Sequence, residues 1–259
     1  MYKKFKIEGD VINKYYYQKE RVNTFNIEPL RALIDRVSFR KKIVSLLSQE
    51  LINFNEVRDL AFPTKDFDVF ISHSHSDLMT AMNLKSFLEE EFGIESFVDS
   101  VYWQNYTDIL REIDGLYAWK KDQGVYDYNI RNVTTANVHA ILTNCLLQMI
   151  NTTPMVVFIE SDKSLSIENG SDEKYTSSPW IMNEIAFSNL LKPIAPEGYV
   201  RVMTETQSFA KGGVLPRFKY PTDFSGYVQF TDELMEEWLT IKGDGLPLHN
   251  LFNLIERHG

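Results

Sequence analysis

Two short apolar segments flank one amphipathic segment in the first half of the chain, and this arrangement limits the possible folds more than any other feature. The run F-D-V-F-I-S at 67–72 predicts a short buried strand, and the apolar spacing over about 77–92 predicts a helix that Gly93 ends. Residues 95–99 predict a second strand. A strand, a helix and a second strand at this spacing form a β-α-β unit, which requires a parallel sheet with a right-handed crossover.

The same alternation continues further along the chain. We expect helices at about 107–119 and 135–150, a buried strand at 154–159, and a helix from residue 179 to about 191. Weaker patterns predict strands at 199–203 and 226–230 and helices at 231–240 and 247–257. Alternating strands and helices of this kind predict an α/β fold with an open parallel sheet flanked by helices.

The N-terminal region has a different pattern. Apolar residues between 10 and 61 recur every three or four positions, which indicates helices, and no strand is evident before residue 62. We therefore expect an N-terminal helical extension at 1–64 and an α/β domain at 65–259. Within that domain the connection at about 100–135 is a long, aromatic insertion after the second strand.

The amino-acid composition limits the classes of protein to which this chain can belong. With 44% hydrophobic residues the chain can form a packed core, and no apolar run is long enough to cross a membrane. Residues 1–64 contain 12 Lys and Arg against 8 Asp and Glu, whereas the remaining residues contain 15 against 28. An acidic body of this kind argues against nucleic-acid binding. The single cysteine, Cys145, and the absence of a signal peptide predict a cytoplasmic location.

Candidate site residues follow the predicted strands. Ser72, His73 and Asp99 come at the ends of the first two strands, and Trp180 and Glu184 lie on the helix after the third. Ligands bind outside the carboxyl ends of parallel strands, so these side chains can share one crevice. Taken alone, Glu184 could be a surface glutamate and Trp180 a packing anchor. Their spacing of four residues nevertheless puts them on one helical face, near a helix start that Ser178 and Pro179 fix.

Several other chemistries have weak support. His73 and His75 lack a third ligand at metal-binding spacing, so we expect no metal. The chain has no G-x-S-x-G nucleophile elbow, no P-loop and no G-x-G-x-x-G sequence. A nucleotide would therefore bind without these phosphate cradles.

Four segments together resemble the ordered landmarks of the Toll/interleukin-1 receptor (TIR) domain family. They are D-V-F-I-S-H-S at 68–74, F-V-D at 97–99, V-V-F-I-E-S at 156–161 and S-P-W-I-M-N-E-I at 178–185. The resemblance covers about residues 66–191 and implies a flavodoxin-like sheet. The N-terminal extension and the long insertion depart from compact TIR domains, and the segment at 126–132 resembles a bacterial TIR-like subgroup.

This resemblance implies a function. Many bacterial and plant TIR domains cleave NAD+, and Glu184 occupies the position of the family's catalytic glutamate. Ser72, His73, Asp99, Trp103 and Trp180 would bind the substrate. The implied product is ADP-ribose or a cyclic form that signals in anti-phage defence. The implied enzyme is an NAD+ nucleosidase or an ADP-ribosyl cyclase that needs no cofactor.

The implied partners are NAD+, an effector protein that the product activates, and further copies of the chain, with no nucleic acid or membrane. An alternative is a non-catalytic TIR scaffold that assembles a signalling complex through the aromatic insertion and the segment 1–64. A third hypothesis is a nucleoside-processing hydrolase on a related scaffold.

Overall fold

A five-stranded sheet, parallel throughout, forms the centre of the protein. The computed structural model describes residues 3–19, 66–103, 106–167, 173–190, 219–243 and 245–258, with a few positions between 41 and 56. The described strands are β1 (Lys3–Glu8), β2 (Val69–Ser72), β3 (Ser96–Val98), β4 (Trp119–Lys120), β5 (Val125–Tyr126), β6 (Met155–Glu160), β7 (Ser166–Ile167), β8 (Lys174–Thr176), β9 (Tyr220–Pro221) and β10 (Tyr227–Phe230). The described helices are α1 (Gly9–Lys19), α2 (Leu78–Phe92), α3 (Asp99–Trp103), α4 (Tyr106–Tyr117), α5 (Tyr128–Thr152), α6 (Pro179–Leu190), α7 (Asp232–Thr240) and α8 (Pro247–His258).

The order of strands across the sheet is β10-β1-β6-β2-β3. Counted from β2, the next two strands of the sheet along the chain lie on either side of it, β3 at the edge and β6 inside. This is the 2-1-3 arrangement at the start of a flavodoxin-like sheet, whose full order is 2-1-3-4-5. The fourth place is taken by β1 and the fifth by β10. The architecture is therefore α/β and compatible with a flavodoxin-like fold.

Strand β1 corrects the expectation that no strand precedes residue 62. Phe5 and Ile7 are fully buried on one face of the sheet, while Lys4 and Lys6 point to the other face. The Nζ atom of Lys6 lies 2.9 Å from a carboxylate oxygen of Glu160, so its charge is paired. The sequence did not predict this strand because a central parallel strand is usually a continuous apolar run, whereas β1 contains three lysines.

Both faces of the sheet are covered by helices. The core on one face joins β1, β2 and β6 to α1, α2, α7 and α8, with Phe92 stacked on Trp238 at a ring distance of 3.8 Å. On the other face Phe70 and Phe97 pack against α4 and α5, and Phe158 packs against Ile181 and Ile185 of α6. Alternate residues of each strand therefore enter different cores. Each fully buried large apolar side chain stabilises the fold by roughly 1.5–3 kcal/mol.

Most of the predicted elements after residue 66 are present within one to three residues of their expected bounds. Gly93, with φ of 64°, ends α2 in the left-handed conformation that glycine tolerates. Helix α5 begins earlier than expected because the side chain of Asp127 accepts hydrogen bonds from the main-chain N–H groups of Asn129 and Ile130. The predicted strand at 199–203 and most of the helical pattern at 10–61 lie outside the described residues.

The insertion after β3 contains α3, α4, a two-stranded hairpin of β4 and β5, and the start of α5. Cys145 lies buried on α5 and forms no disulfide. No helix in the described part of the chain is long and apolar enough to cross a membrane.

Candidate active site

The carboxyl end of β2 places Ser72 at the centre of the candidate site. Strand β2 pairs with β3 and β6 in a register that puts Ile71 beside Val98 and Ser72 beside Phe158. The ends of these three strands therefore meet at one edge of the sheet. Ser72 is only 1% exposed, and its hydroxyl points to the face that α6 covers.

The start of α6 positions the carboxyl group that meets Ser72. The hydroxyl of Ser178 accepts a hydrogen bond from the main-chain N–H of Ile181 at 3.3 Å, and Pro179 is the first helical residue. The predicted cap is thus confirmed. Helix α6 buries Ile181, Glu184, Ile185 and Ser188, which recur at helical spacing, so Glu184 faces the sheet and not solvent.

Glu184 is a buried carboxyl group with one oxygen engaged. Ser72 donates a hydrogen bond to its Oε2, whereas Oε1 has no hydrogen-bond partner among the described residues. Burial raises the pKa of Glu184 well above its ordinary value; the negative charge of Asp99 raises it further, and the hydrogen bond from Ser72 opposes this. This environment therefore favours the neutral form of Glu184 more than solvent does, and a nearby positive charge would favour ionisation.

Asp99 and His73 lie next to each other at the same edge. The Nδ1 atom of His73 is 3.4 Å from Oδ1 of Asp99 and 3.4 Å from the carbonyl oxygen of Ile71. Both neighbouring oxygens can accept a hydrogen bond, so this geometry suits an N–H donor at Nδ1. Its side chain has no exposed surface. His73 can therefore border the pocket only through its main chain, and its ring supports Asp99.

Trp180 has the packing role that its sequence position allowed, and part of its surface also faces the pocket. Its indole stacks on the imidazole of His139 on α5, with ring centroids 5.4 Å apart and an interplanar angle of 8°. The ring also packs against the core between the sheet and α5. Because Trp180 is half-buried and lines the pocket, it anchors α6 and leaves part of its surface available to a ligand.

Four of these residues, His73, Asp99, Trp180 and Glu184, line a pocket of about 370 Å³, whereas Ser72 is not part of the lining and contacts Glu184 instead. This volume lies within the range of roughly 300–1,000 Å³ that is typical of small-molecule sites. The lining combines two carboxyl groups, one ammonium group, a tryptophan and many hydroxyl groups: His73, Ser74, His75, Ser76, Asp99, Ser100, Lys163, Thr176, Ser177, Ser178, Trp180, Ile181 and Glu184. Such a lining suits a ligand with a sugar and a charged ring.

Two polar groups at this edge escaped the sequence analysis: Lys163, which lines the pocket, and Asp77, which lies behind the lining. Asp77 is 6% exposed, and its Oδ2 accepts hydrogen bonds from Ser74 at 2.5 Å and from Ser161 at 2.6 Å. Lys163 follows on the turn after β6, with its Nζ 3.7 Å from Oδ1 of Asp77. The sequence signal was limited to a polar turn after a buried strand, which is typical of any surface loop.

Trp103 and His75 lie in the segments that follow β3 and β2. Trp103 ends α3, and its side chain lies outside the described part of the protein. His75 is exposed and lines the pocket. Within the described residues, no group of three or more His, Cys, Asp or Glu side chains could hold a metal ion.

Comparisons of the chain with protein-family models, curated proteins and solved structures find no match. The geometry of this pocket and the chemistry of its side chains are therefore the basis on which a function can be inferred.

Proposed function

We propose that the protein cleaves the N-glycosidic bond between nicotinamide and ribose in NAD+, with Glu184 as the catalytic carboxyl group. The observation that carries this proposal is the placement of Glu184: buried, hydrogen-bonded to Ser72 at the end of β2, and lining a pocket with an aromatic ring and several hydroxyl groups. The order of sequence landmarks that resemble TIR domains supports the same activity.

The reaction needs a carboxylate more than it needs a separate acid. When the bond breaks, nicotinamide leaves as a neutral molecule with the bonding electrons, and the positive charge moves from the ring to the sugar. The transition state resembles an oxocarbenium ion, as in glycoside hydrolysis. An ionised Glu184 would stabilise this charge from its buried position, an effect worth several kcal/mol. Attack by water gives ADP-ribose, and attack by an adenine nitrogen gives a cyclic product; each releases one proton.

The raised pKa of Glu184 fits a cationic substrate. Burial and the charge of Asp99 favour the protonated form in the empty pocket. The pyridinium ring of NAD+ carries a positive charge, which would favour loss of that proton when the ring enters. The same ring can pack against the accessible part of Trp180. Glu184 would thus hold its proton more tightly in the empty pocket than in the loaded one.

Release of nicotinamide from NAD+ by the purified chain tests the proposal. We expect nicotinamide and either ADP-ribose or a cyclic isomer, measured by mass spectrometry, in amounts that increase with enzyme concentration. Because the resemblance to TIR domains implies that copies of the chain associate, the assay is run across a range of protein concentrations. The absence of nicotinamide at every concentration would exclude the activity.

A non-catalytic scaffold is a second candidate, and one observation favours it. The hairpin of β4 and β5 and the adjoining helix ends expose several large apolar side chains, among them Leu116, Trp119, Tyr126 and Tyr128. Exposed apolar groups in one segment are typical of protein–protein contact surfaces. A scaffold has no use for a buried glutamate that lines a pocket and has one oxygen without a hydrogen bond to the described residues, and therefore Glu184 favours the enzyme.

A further inference from the structure

The turn after β6 is held in one conformation by its own serines. The hydroxyl of Ser161 accepts hydrogen bonds from the main-chain N–H groups of Lys163 and Ser164, each at 3.1 Å. In return, the main-chain N–H of Ser161 donates to the hydroxyl of Ser164 at 2.9 Å. These bonds fix the main chain at Lys163, so that its side chain starts from a defined position at the pocket.

Asp77 fastens this turn to the loop after β2. Its Oδ2 accepts hydrogen bonds from both Ser74 and Ser161, which belong to the two different loops. The Nζ of Lys163 lies 3.7 Å from the other oxygen, beyond the 2.7–3.2 Å of an N–H···O hydrogen bond. The ammonium of Lys163 therefore has an attractive neighbour but makes no hydrogen bond within the described residues, and its three donors remain available to a ligand.

The charges of the pocket are arranged for a ligand that carries both signs. Among the described lining residues Lys163 is the one lysine or arginine, and Asp99 and Glu184 are the carboxyl groups. Ser177 and Ser178, at the N-terminal end of the twelve-residue α6, also line the pocket. A helix N-terminus adds partial positive charge there. A cationic ring can thus face the carboxyl groups while an anionic group faces Lys163.

We propose that Lys163 binds a phosphate group of the ligand and that the pocket thereby selects a phosphate-bearing dinucleotide over a free nucleoside. This inference rests on the proposed function for the identity of the ligand as NAD+. Asp77 acts as the positioning residue: it holds the turn through Ser161 and keeps the ammonium of Lys163 at the pocket. A lysine is suited to this task because its ammonium is a compact charge with three donors.

Two substrates with the same scissile bond test the role of Lys163. NAD+ contains the pyrophosphate, whereas nicotinamide riboside lacks it. For Lys163→Ala we expect KM for NAD+ to rise about tenfold with kcat within about twofold, as for the loss of one charge-assisted contact. Nicotinamide riboside should be cleaved with unchanged constants. Lys163→Arg keeps the charge and should retain most of the affinity. Lys121, an exposed lysine on the turn between β4 and β5, provides the control substitution Lys121→Ala.

Binding of ADP-ribose separates this inference from the proposed function. By calorimetry we expect ADP-ribose to bind Lys163→Ala about tenfold more weakly than the wild-type chain. If the wild-type chain releases no nicotinamide but binds ADP-ribose in this Lys163-dependent way, the NAD+-cleaving function fails and the phosphate contact stands. Equal binding of ADP-ribose to both chains, or to neither, overturns the inference. An equal loss of NAD+ and nicotinamide riboside cleavage also overturns it.

Discussion

The hydroxyl of Ser72 donates a hydrogen bond to Oε2 of Glu184, which joins the end of β2 to the second turn of α6 across 112 positions of the chain. Both residues are almost fully buried, at 1% and 2% exposure. One carboxyl oxygen is therefore fixed by the protein, while Oε1 stays without a hydrogen-bond partner among the described residues. This division gives the carboxyl group a defined orientation and leaves one oxygen for a substrate.

Substitution of Ser72 should destabilise the protein and change the proton affinity of Glu184. Ser72→Ala leaves a buried carboxyl oxygen without its donor, so we expect the free energy of unfolding to fall by about 1–3 kcal/mol, measured by urea denaturation. Because the hydrogen bond from Ser72 lowers the pKa of Glu184, its removal should raise that pKa further. Ser166, exposed in β7, provides the control Ser166→Ala, which should have little effect. Equal stability of Ser72→Ala and wild type would contradict the contact.

Stability should depend on pH through Glu184. Its pKa in the folded chain is well above the ordinary value of 4.5, so the folded state holds this proton more tightly than the unfolded state. The resulting stabilisation is fully present below the unfolded pKa and is lost as pH rises through the folded pKa. Between the two pKa values the free energy of unfolding should fall by about 1.4 kcal/mol per pH unit.

The matched variant for this prediction is Glu184→Gln, which cannot ionise. In urea denaturation from about pH 5 to pH 8, the free energy of unfolding of the variant should increase relative to that of the wild type as pH rises. Asp99→Asn should reduce this difference, because the charge of Asp99 raises the pKa of Glu184. A stability difference between Glu184→Gln and wild type that stays constant with pH would show that Glu184 titrates normally.

Local patterns in the sequence were sufficient to predict the elements that carry the site. The apolar runs of β2 and β6, the stop at Gly93 and the cap at Ser178 each depend on a few neighbouring residues, and the structure confirms them. The convergence of Ser72, Asp99 and Glu184 followed from one rule, that the carboxyl ends of parallel strands meet at one edge.

Features that depend on distant contacts were not predictable from the chain alone. In strand β1 the charge of Lys6 is paired with Glu160 of β6, 154 positions away in the chain numbering. His139 stacks on Trp180 only once the chain is packed. The complete burial of the His73 imidazole also depends on tertiary contacts. The local sequence does not show which distant residues a side chain will contact. The three lysines of β1 therefore resembled a surface segment.

Loss of Phe5 should show that β1 belongs to the core. Phe5 is fully buried and packs against Phe230 at a ring distance of 5.4 Å. Phe5→Ala should therefore lower the free energy of unfolding by about 3–5 kcal/mol, measured by urea denaturation. Met79 is 60% exposed, and Met79→Ala should change stability by less than about 0.5 kcal/mol. If Phe5→Ala were as mild as this control, the N-terminal strand would lie outside the cooperative fold.

Nicotinamide release from NAD+ by wild type and Glu184→Gln tests the central claim most directly. The substitution keeps the size of the side chain and an oxygen that can accept from Ser72, so the fold should be retained, which circular dichroism and urea denaturation can verify. Loss of the charge that stabilises the transition state should raise the activation free energy by several kcal/mol. We therefore expect kcat to fall at least about 100-fold. Unchanged nicotinamide release by a folded Glu184→Gln chain would contradict the claim that this carboxyl group is catalytic.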